Sequence, residues 1–372
     1  MAGVNAWAVG VVRYSAGVLD WTRKDVKAMD VKTRKVLTMC GAFRKLSSVD
    51  RLYMKRKNGG RGLISVEECV QSEEKSLAEY VRNSEEWMLK EVAKGLKVGE
   101  SKDEYVNGLE RKRKERLQEK KVHGKFLEEV SDVADERSWQ WLKAGYLTPS
   151  TESYIFGAQE QALRTRWRRA RIEGEEVEAC CRVCRNPERL ETVNHLASGC
   201  GELAKKQYKI RHDRMGLRIH WELCRKYGIQ CAGKWYEHVP ASVCRNEADE
   251  VEIWWDRTVE TARRLAHNRP DVVVINRRER KWTLVDFSVP LDKNVLSKEN
   301  EKLLNYAPLA QEVRRMHRVS TTIVPVVMGC LGTVPKRLSG YLGELGVPDV
   351  IGCMQTTALL GTARILKNVL SV

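Results

Sequence analysis

No stretch of the 372 residues approaches the roughly 18 consecutive apolar residues of a membrane span. The N-terminus also lacks the pattern of a secretory signal. No internal repeat recurs at solenoid periods, so a single long array is not expected. The one conspicuous glycine cluster, Asn58-Gly59-Gly60-Arg61-Gly62, is not followed by Gly-Lys-Ser/Thr, which leaves a plain turn as the reading rather than a phosphate loop. No Asp-Asp dipeptide occurs anywhere. Acidic charge is in deficit, with 50 Asp and Glu against 66 Lys and Arg, a formal charge of +16. An excess of that size points to a polyanionic partner. Nucleic acid is favoured over an anionic membrane surface. Apolar residues at 42% and charged residues at 31% fit a folded chain, and its length suggests two or three domains.

Eleven cysteines are too few for so long a chain, and odd in number, to suggest a secreted disulfide scaffold. Four of them cluster at 180, 181, 184 and 200. Cys181-x2-Cys184-x10-His195-x4-Cys200 offers three thiolates and an imidazole, the donor set of a tetrahedral structural Zn2+ site. The close cysteine pair suits a tight turn, and a short helix would present His195 and Cys200 together. Cys180 competes with Cys181 but breaks the usual two-residue gap to Cys184. Cys224, Cys231, Cys244, His212 and His220 read as bystanders.

Along the chain, residues 1–97 are expected to be mainly helical, with Val26, Met29, Val36 and Leu37 at helical intervals. Residues 98–137 are dense in mixed charge and read as a solvated helix or linker. Residues 138–178 contain Arg164, Arg166, Arg168, Arg169 and Arg171 around Trp167. Arginine pairs bidentately with phosphate and an interleaved aromatic can stack on a base, so Arg164, Arg166, Trp167, Arg168 and Arg169 are candidate nucleic-acid contacts. A solvated basic helix face is the competing reading. Residues 179–235 would hold the zinc motif and a following helix. Residues 236–372 show short β-branched runs separated by a helical pattern over 296–316, which indicates a small α/β domain on a central sheet.

Within that last segment, Val272–Ile275 and Thr283–Val285 flank a polar turn, Asn276 to Lys281. Pairing Asn276 with Lys281 fixes the hairpin register. Val273 then opposes Leu284, Ile275 opposes Trp282, and Asp271 opposes Asp286 on the same face. Two carboxylates beside apolar strands need a partner. Mg2+ or Mn2+ would serve, because hard divalent cations take carboxylate and phosphate oxygens. Lys298, Lys302, Asn305, Tyr306 and Leu309 form one stripe on the next helix, so Lys302 could approach the carboxylates. Two acids and a lysine around a metal suit phosphodiester hydrolysis. The residues equally allow a strand-end cap at Asp271 and an ordinary salt bridge at Asp286.

At this point the chain resembles the C-terminal part of proteins encoded by non-LTR retrotransposons with a restriction-like endonuclease. Three stretches carry the likeness. Trp7-Ala8-Val9, Arg13-Tyr14-Ser15, Leu52-Tyr53 and Gly59 to Leu63 resemble the region after the polymerase palm, including the thumb. Cys181, Cys184, His195 and Cys200 resemble the family's CCHC knuckle, although the ten-residue gap is slightly long. Arg269-Pro270-Asp271, Asp286, Lys302 and Tyr306 resemble a PD-(D/E)xK nuclease motif whose lysine has moved from the strand to the following helix.

The resemblance implies an α+β, multidomain chain: an N-terminal helical region, a small zinc knuckle and a C-terminal restriction-endonuclease-like domain with a central mixed sheet. It implies catalytic roles for Asp271, Asp286, Lys302 and Tyr306, magnesium on Asp271 and Asp286, and a nucleic-acid contact at Arg269. Partners would be DNA and retroelement RNA, with a full-length polymerase as a further partner, since the palm and its paired aspartates are missing. The compartment would be nuclear, or else cytoplasmic. Two departures stand out. Ala262 occupies a position on the expected preceding helix where many relatives carry a carboxylate, with Glu260 nearby, and Asn305 replaces a common lysine. The alternatives are a non-catalytic DNA- or RNA-binding protein on the same scaffold and a folded relic without selected activity.

Overall fold

The structure is a computed structural model that describes residues 1–96, 99–134, 136–248 and 250–371. The expected boundary between residues 97 and 98 lies outside the described residues, as does residue 135 of the expected linker. The chain forms two compact units. One comprises Met1–Glu128 with Thr148–Ala162, the other Glu129–Leu147 with Leu163–Val372.

The first unit is helical, as its sequence pattern suggests. Helix α1 (Val9–Ser15), α2 (Arg23–Met39) and α3 (Val66–Asn83) bury Val9, Val12, Val26, Val66, Cys69 and Val70 together. Thr22 and Ser65 cap α2 and α3 by accepting backbone N–H groups. Asp30, buried on α2, accepts the Ser65 hydroxyl at 2.6 Å and the Val66 N–H at 2.8 Å, so one carboxylate ties two helices. Val36, expected in the apolar stripe, is exposed instead, while Leu37 is buried.

The charged stretch is helical, one of its two expected forms, but it buries Arg113 and Leu117 instead of standing off as a linker. It contains α4 (Lys102–Glu119), opened by a Ser101/Glu104 capping box and packed within the first unit. Its Arg113 is buried against Glu68, and Arg116 and Lys120 both reach Asp50, at 2.7 and 2.6 Å. The glycine cluster is a turn, as read. Gly59 and Gly62 have φ of +81° and +67°, and a Cβ on Gly60 would lie 2.1 Å from the Met54 carbonyl oxygen. Helix α5 (Pro149–Gln159) completes the unit, with Glu152 accepting from Arg61 at 3.1 Å.

The second unit is built on a mixed sheet of five strands in sequence order: β1 (Val243–Asn246), β2 (Val251–Trp255), β3 (Val272–Asn276), β4 (Lys281–Ser288) and β5 (Ser320–Val327). The first four are antiparallel, and β5 runs parallel to β4 with Asp286 beside Pro325. The β3–β4 register matches the expectation pair for pair, from Asn276–Lys281 to Val272–Val285.

The parallel pair requires a crossover, and α8 provides it. This unit's helices include α6 (Arg166–Arg171), α7 (Lys209–Lys226), α8 (Val295–His317), α9 (Leu338–Leu345) and α10 (Ile351–Leu370). Helix α8 lays Tyr306, Leu309, Ala310 and Val313 on Val273, Ile275, Trp282 and Leu284. Each fully buried side chain of this size contributes about 1.5–3 kcal/mol. Helix α7 packs closely on the sheet, since a Cβ on Gly216 would meet the Phe287 ring at 2.5 Å. The segment around Glu260 and Ala262 is not the expected helix. It is irregular, anchored by buried Val259 and a 2.8 Å bond from its N–H to the Asn268 carbonyl.

Candidate functional site

Asp271 and Asp286 meet where β3 begins and β4 ends. Asp271 stands just before β3, and its Oδ2 accepts the Phe287 N–H at 2.6 Å. Asp286 lies inside β4 and is 4% exposed. The Tyr306 hydroxyl donates to its Oδ1 at 2.7 Å and also lies 3.1 Å from the Arg269 carbonyl oxygen. The Lys302 ammonium forms an ion pair with its Oδ2. The lysine is half-buried, so its charge is only partly screened by solvent. The stripe on α8 thus places Lys302 and Tyr306, one turn apart, on the same carboxylate. Lys298 turns to Glu301 instead, at 2.7 Å.

His212 on α7 is the partner that the sequence reading set aside. Its Nε2 lies 3.3 Å from Asp271 Oδ2 and 3.2 Å from the Phe287 carbonyl oxygen, and its Nδ1 lies 3.1 Å from Asp213 Oδ1. Burial alone would lower its pKa, but the bonds and charges of Asp271 and Asp213 overcome that and raise it to about 9. Helical spacing on one face, with His212 a turn before Gly216, was the available signal. His212 lies 59 positions before Asp271 in sequence, so nothing local connected them.

The two aspartates are driven in opposite directions. Burial and the neighbouring Asp271 charge raise the Asp286 carboxyl above its usual range, against the pull of Lys302 and Tyr306. Asp271 is buried too, yet His212, the Phe287 N–H and Lys302 bring it below the usual range. One carboxylate holds its charge firmly while the other holds it reluctantly, which is how one site provides groups of differing proton affinity. Asp271 opens onto a cleft of about 450 Å³ lined also by Lys209, Arg211, His212, Trp255 and Ser198.

The cysteine and histidine motif forms a second centre. The Sγ atoms of Cys181, Cys184 and Cys200 and a ring nitrogen of His195 all lie within 4.8 Å of one another, a group able to hold a metal ion. The Cys181 N–H bonds the Arg189 carbonyl oxygen at 2.8 Å, and Arg185 closes the intervening turn with φ +53°. Cys184 Sγ lies 3.5 Å from His195 Nε2. The competing Cys180 turns outward to Glu178. A single wide turn, His195–Gly199, carries the imidazole and leads to Cys200, and Tyr208 pins it by accepting the Cys200 N–H and donating to the Leu196 carbonyl.

This turn also shapes the cleft. Its Ser198 lines the wall, and buried Arg211 donates to the carbonyl oxygens of Ala197 at 2.8 Å and Val289 at 3.2 Å and to the Thr362 hydroxyl at 2.8 Å.

The arginine segment is less open than its sequence suggests. Helix α6 is six residues long. Arg168 is buried and bonds Glu173 at 3.2 Å, Arg164 bonds Glu173 and Glu175, and Arg169 bonds Glu175 at 2.6 Å. Trp167 and Arg166 are half-buried. Arg269 is exposed and paired with Asp256 at 2.8 Å. No helix among the described residues is long and apolar enough to cross a membrane. Searches of known protein families and of curated proteins find no match to this chain.

Proposed function

We propose that this chain is a metal-dependent DNA endonuclease, the C-terminal portion of a retrotransposon-encoded protein, with a zinc knuckle that helps to hold nucleic acid. The observation that carries this reading is the convergence of Lys302 and Tyr306 on Asp286, beside an Asp271 that opens onto a cleft of mixed charge holding Lys209, His212, Asp213 and Asp256. Asp271 and Asp286 would hold Mg2+ or Mn2+, which when bound supplies charge stabilisation for a phosphodiester and a more acidic water. Lys302 holds Asp286 and offers its remaining N–H groups to a phosphate oxygen. Tyr306 fixes the rotamer of Asp286, and His212 fixes that of Asp271. Lys209 gives the cleft a further positive edge for the DNA backbone.

The donor set of Cys181, Cys184, His195 and Cys200 suits Zn2+ in a closed tetrahedral role. The sheet with its crossover helix fits a restriction-endonuclease-like domain, and the helical unit fits the thumb region of such proteins. The site of action would be nuclear.

The test is nicking of supercoiled plasmid by the purified chain with Mg2+ or Mn2+, with EDTA, and with Asp286→Ala. Metal-dependent nicking that the variant lacks is the expected result. Intact plasmid under all conditions, with DNA still bound, would instead establish a non-catalytic binding protein. One observation favours that second reading: each aspartate already has protein partners, although Asp286 Oδ2 has only the Lys302 ion pair and no hydrogen bond among the described residues.

A further inference from the structure

Helix α7 carries a second convergence that the proposed nuclease and knuckle do not use. His220 and Cys224 are one turn apart and therefore share a face. His238, in the segment leading to β1, folds onto them. His220 Nδ1 lies 2.8 Å from His238 Nε2, and Cys224 Sγ lies 3.6 Å from the same His220 nitrogen. All three side chains are buried. Their donor atoms fall within 4.8 Å of one another, the span also seen at the knuckle. Donors bound to one zinc at about 2.0–2.3 Å stand some 3–4 Å apart, so these spacings need little adjustment. His220 Nε2 has no hydrogen-bond partner among the described residues and sits against Trp255, edge-on at 5.5 Å between centroids. Burial raises the pKa of the Cys224 thiol, and Cys244 on β1 and Cys231 are the neighbouring thiols that raise it further. Cys244 Sγ itself lies 3.9 Å from the Ala241 carbonyl oxygen, outside the three-residue group, so a small shift of its side chain must bring it in.

We propose that His220, Cys224 and His238, completed by Cys244, form a second structural zinc site. Two imidazoles and two thiolates are a tetrahedral zinc set. Such a site would clamp α7 to the strand at the sheet's edge, and α7 is the helix that presents His212 and Arg211 to the cleft. The competing account is a buried hydrogen bond between two neutral imidazoles, which the 2.8 Å contact also permits. The proposal is independent of nuclease activity and of the knuckle, because it names separate ligands.

The first measurement is zinc content of the full chain folded with zinc and freed of excess metal. About two ions per chain are expected, falling to about one in Cys184→Ala and to about one in Cys224→Ala. X-ray absorption of the wild-type protein guards against variants that fail to fold. Mixed sites lower the mean sulfur coordination below the three thiolates of the knuckle alone. Cobalt substituted into Cys184→Ala should give tetrahedral d–d bands and a thiolate charge-transfer band, weakened in Cys244→Ser. One zinc per wild-type chain, lost in Cys184→Ala and kept in Cys224→Ala, would overturn the proposal. Zinc lost only in Cys224→Ala would uphold it and overturn the knuckle instead. A chain with no zinc overturns both.

Discussion

Tyr306 donates its hydroxyl hydrogen to Asp286 Oδ1 while Lys302, one turn earlier on the same helix, pairs with Oδ2. Both oxygens of a buried carboxylate are thus held from α8. Tyr306→Phe removes a bond that favours the charged carboxylate, so the acid limb of the pH–rate profile should move to higher pH. Loss of one such bond corresponds to about a tenfold fall in nicking rate. A plasmid assay across pH, with circular dichroism to verify folding, checks this.

Lys302→Met leaves Asp286 buried with the Asp271 charge beside it and no cation opposite. Nicking should fall by about 10²–10³-fold. DNA affinity at moderate salt should change little, because the cleft keeps Lys209. Parallel nicking and fluorescence-anisotropy titrations separate the two effects.

Glu191 lies fully buried beside the knuckle and accepts Arg182 Nε, Arg182 Nη2 and the Arg166 N–H at 2.9 Å each, and the Arg182 N–H at 3.0 Å. Burial opposes its charge, but these donors win and lower its pKa. Its contribution to stability is therefore present above the ordinary glutamate pKa and lost as pH falls through the lower folded value. Glu191→Gln should destabilise the chain by about 3 kcal/mol near neutrality. Its deficit against wild type should shrink below about pH 4.3, as denaturant melts at several pH values would show.

Gly216→Ala places a methyl group 2.5 Å from a Phe287 ring carbon and 3.0 Å from Trp255. Helix α7 must then move off the sheet, at a cost of about 1–3 kcal/mol. The shift carries His212 away from Asp271. A lower melting temperature together with impaired nicking is expected, whereas Gly340→Ala, whose Cβ meets nothing within 4 Å, should leave both unchanged.

The hairpin was readable because its information is local. A polar turn between two β-branched runs, with Asn276 paired to Lys281, sets a register that the ladder follows as far as Val272–Val285, and Asp271 stands one residue beyond it. The lysine stripe was readable for the same reason, since helical spacing brings Lys302 and Tyr306 to one face. His212 escaped because its link to Asp271 exists only once α7 has packed on the sheet. The charged stretch misled in the opposite sense. Arg113 looks like a solvent residue in sequence, yet Glu68 of another helix neutralises it in the interior. The expected helix around Ala262 failed because the segment is an irregular connection from β2 to β3 that buries Val259 in the core and packs Leu265 against it.

The sheet's two outer strands are unlike each other, and both discourage recruitment of a foreign strand. At one margin β1 is only four residues long. At the other, β5 carries Pro325 near its middle, and a proline has no N–H to offer an incoming chain. A short margin and an interrupted one are standard protection against edge-to-edge aggregation. Pro325→Val would restore the missing donor, and with it the hazard of fibrous self-association.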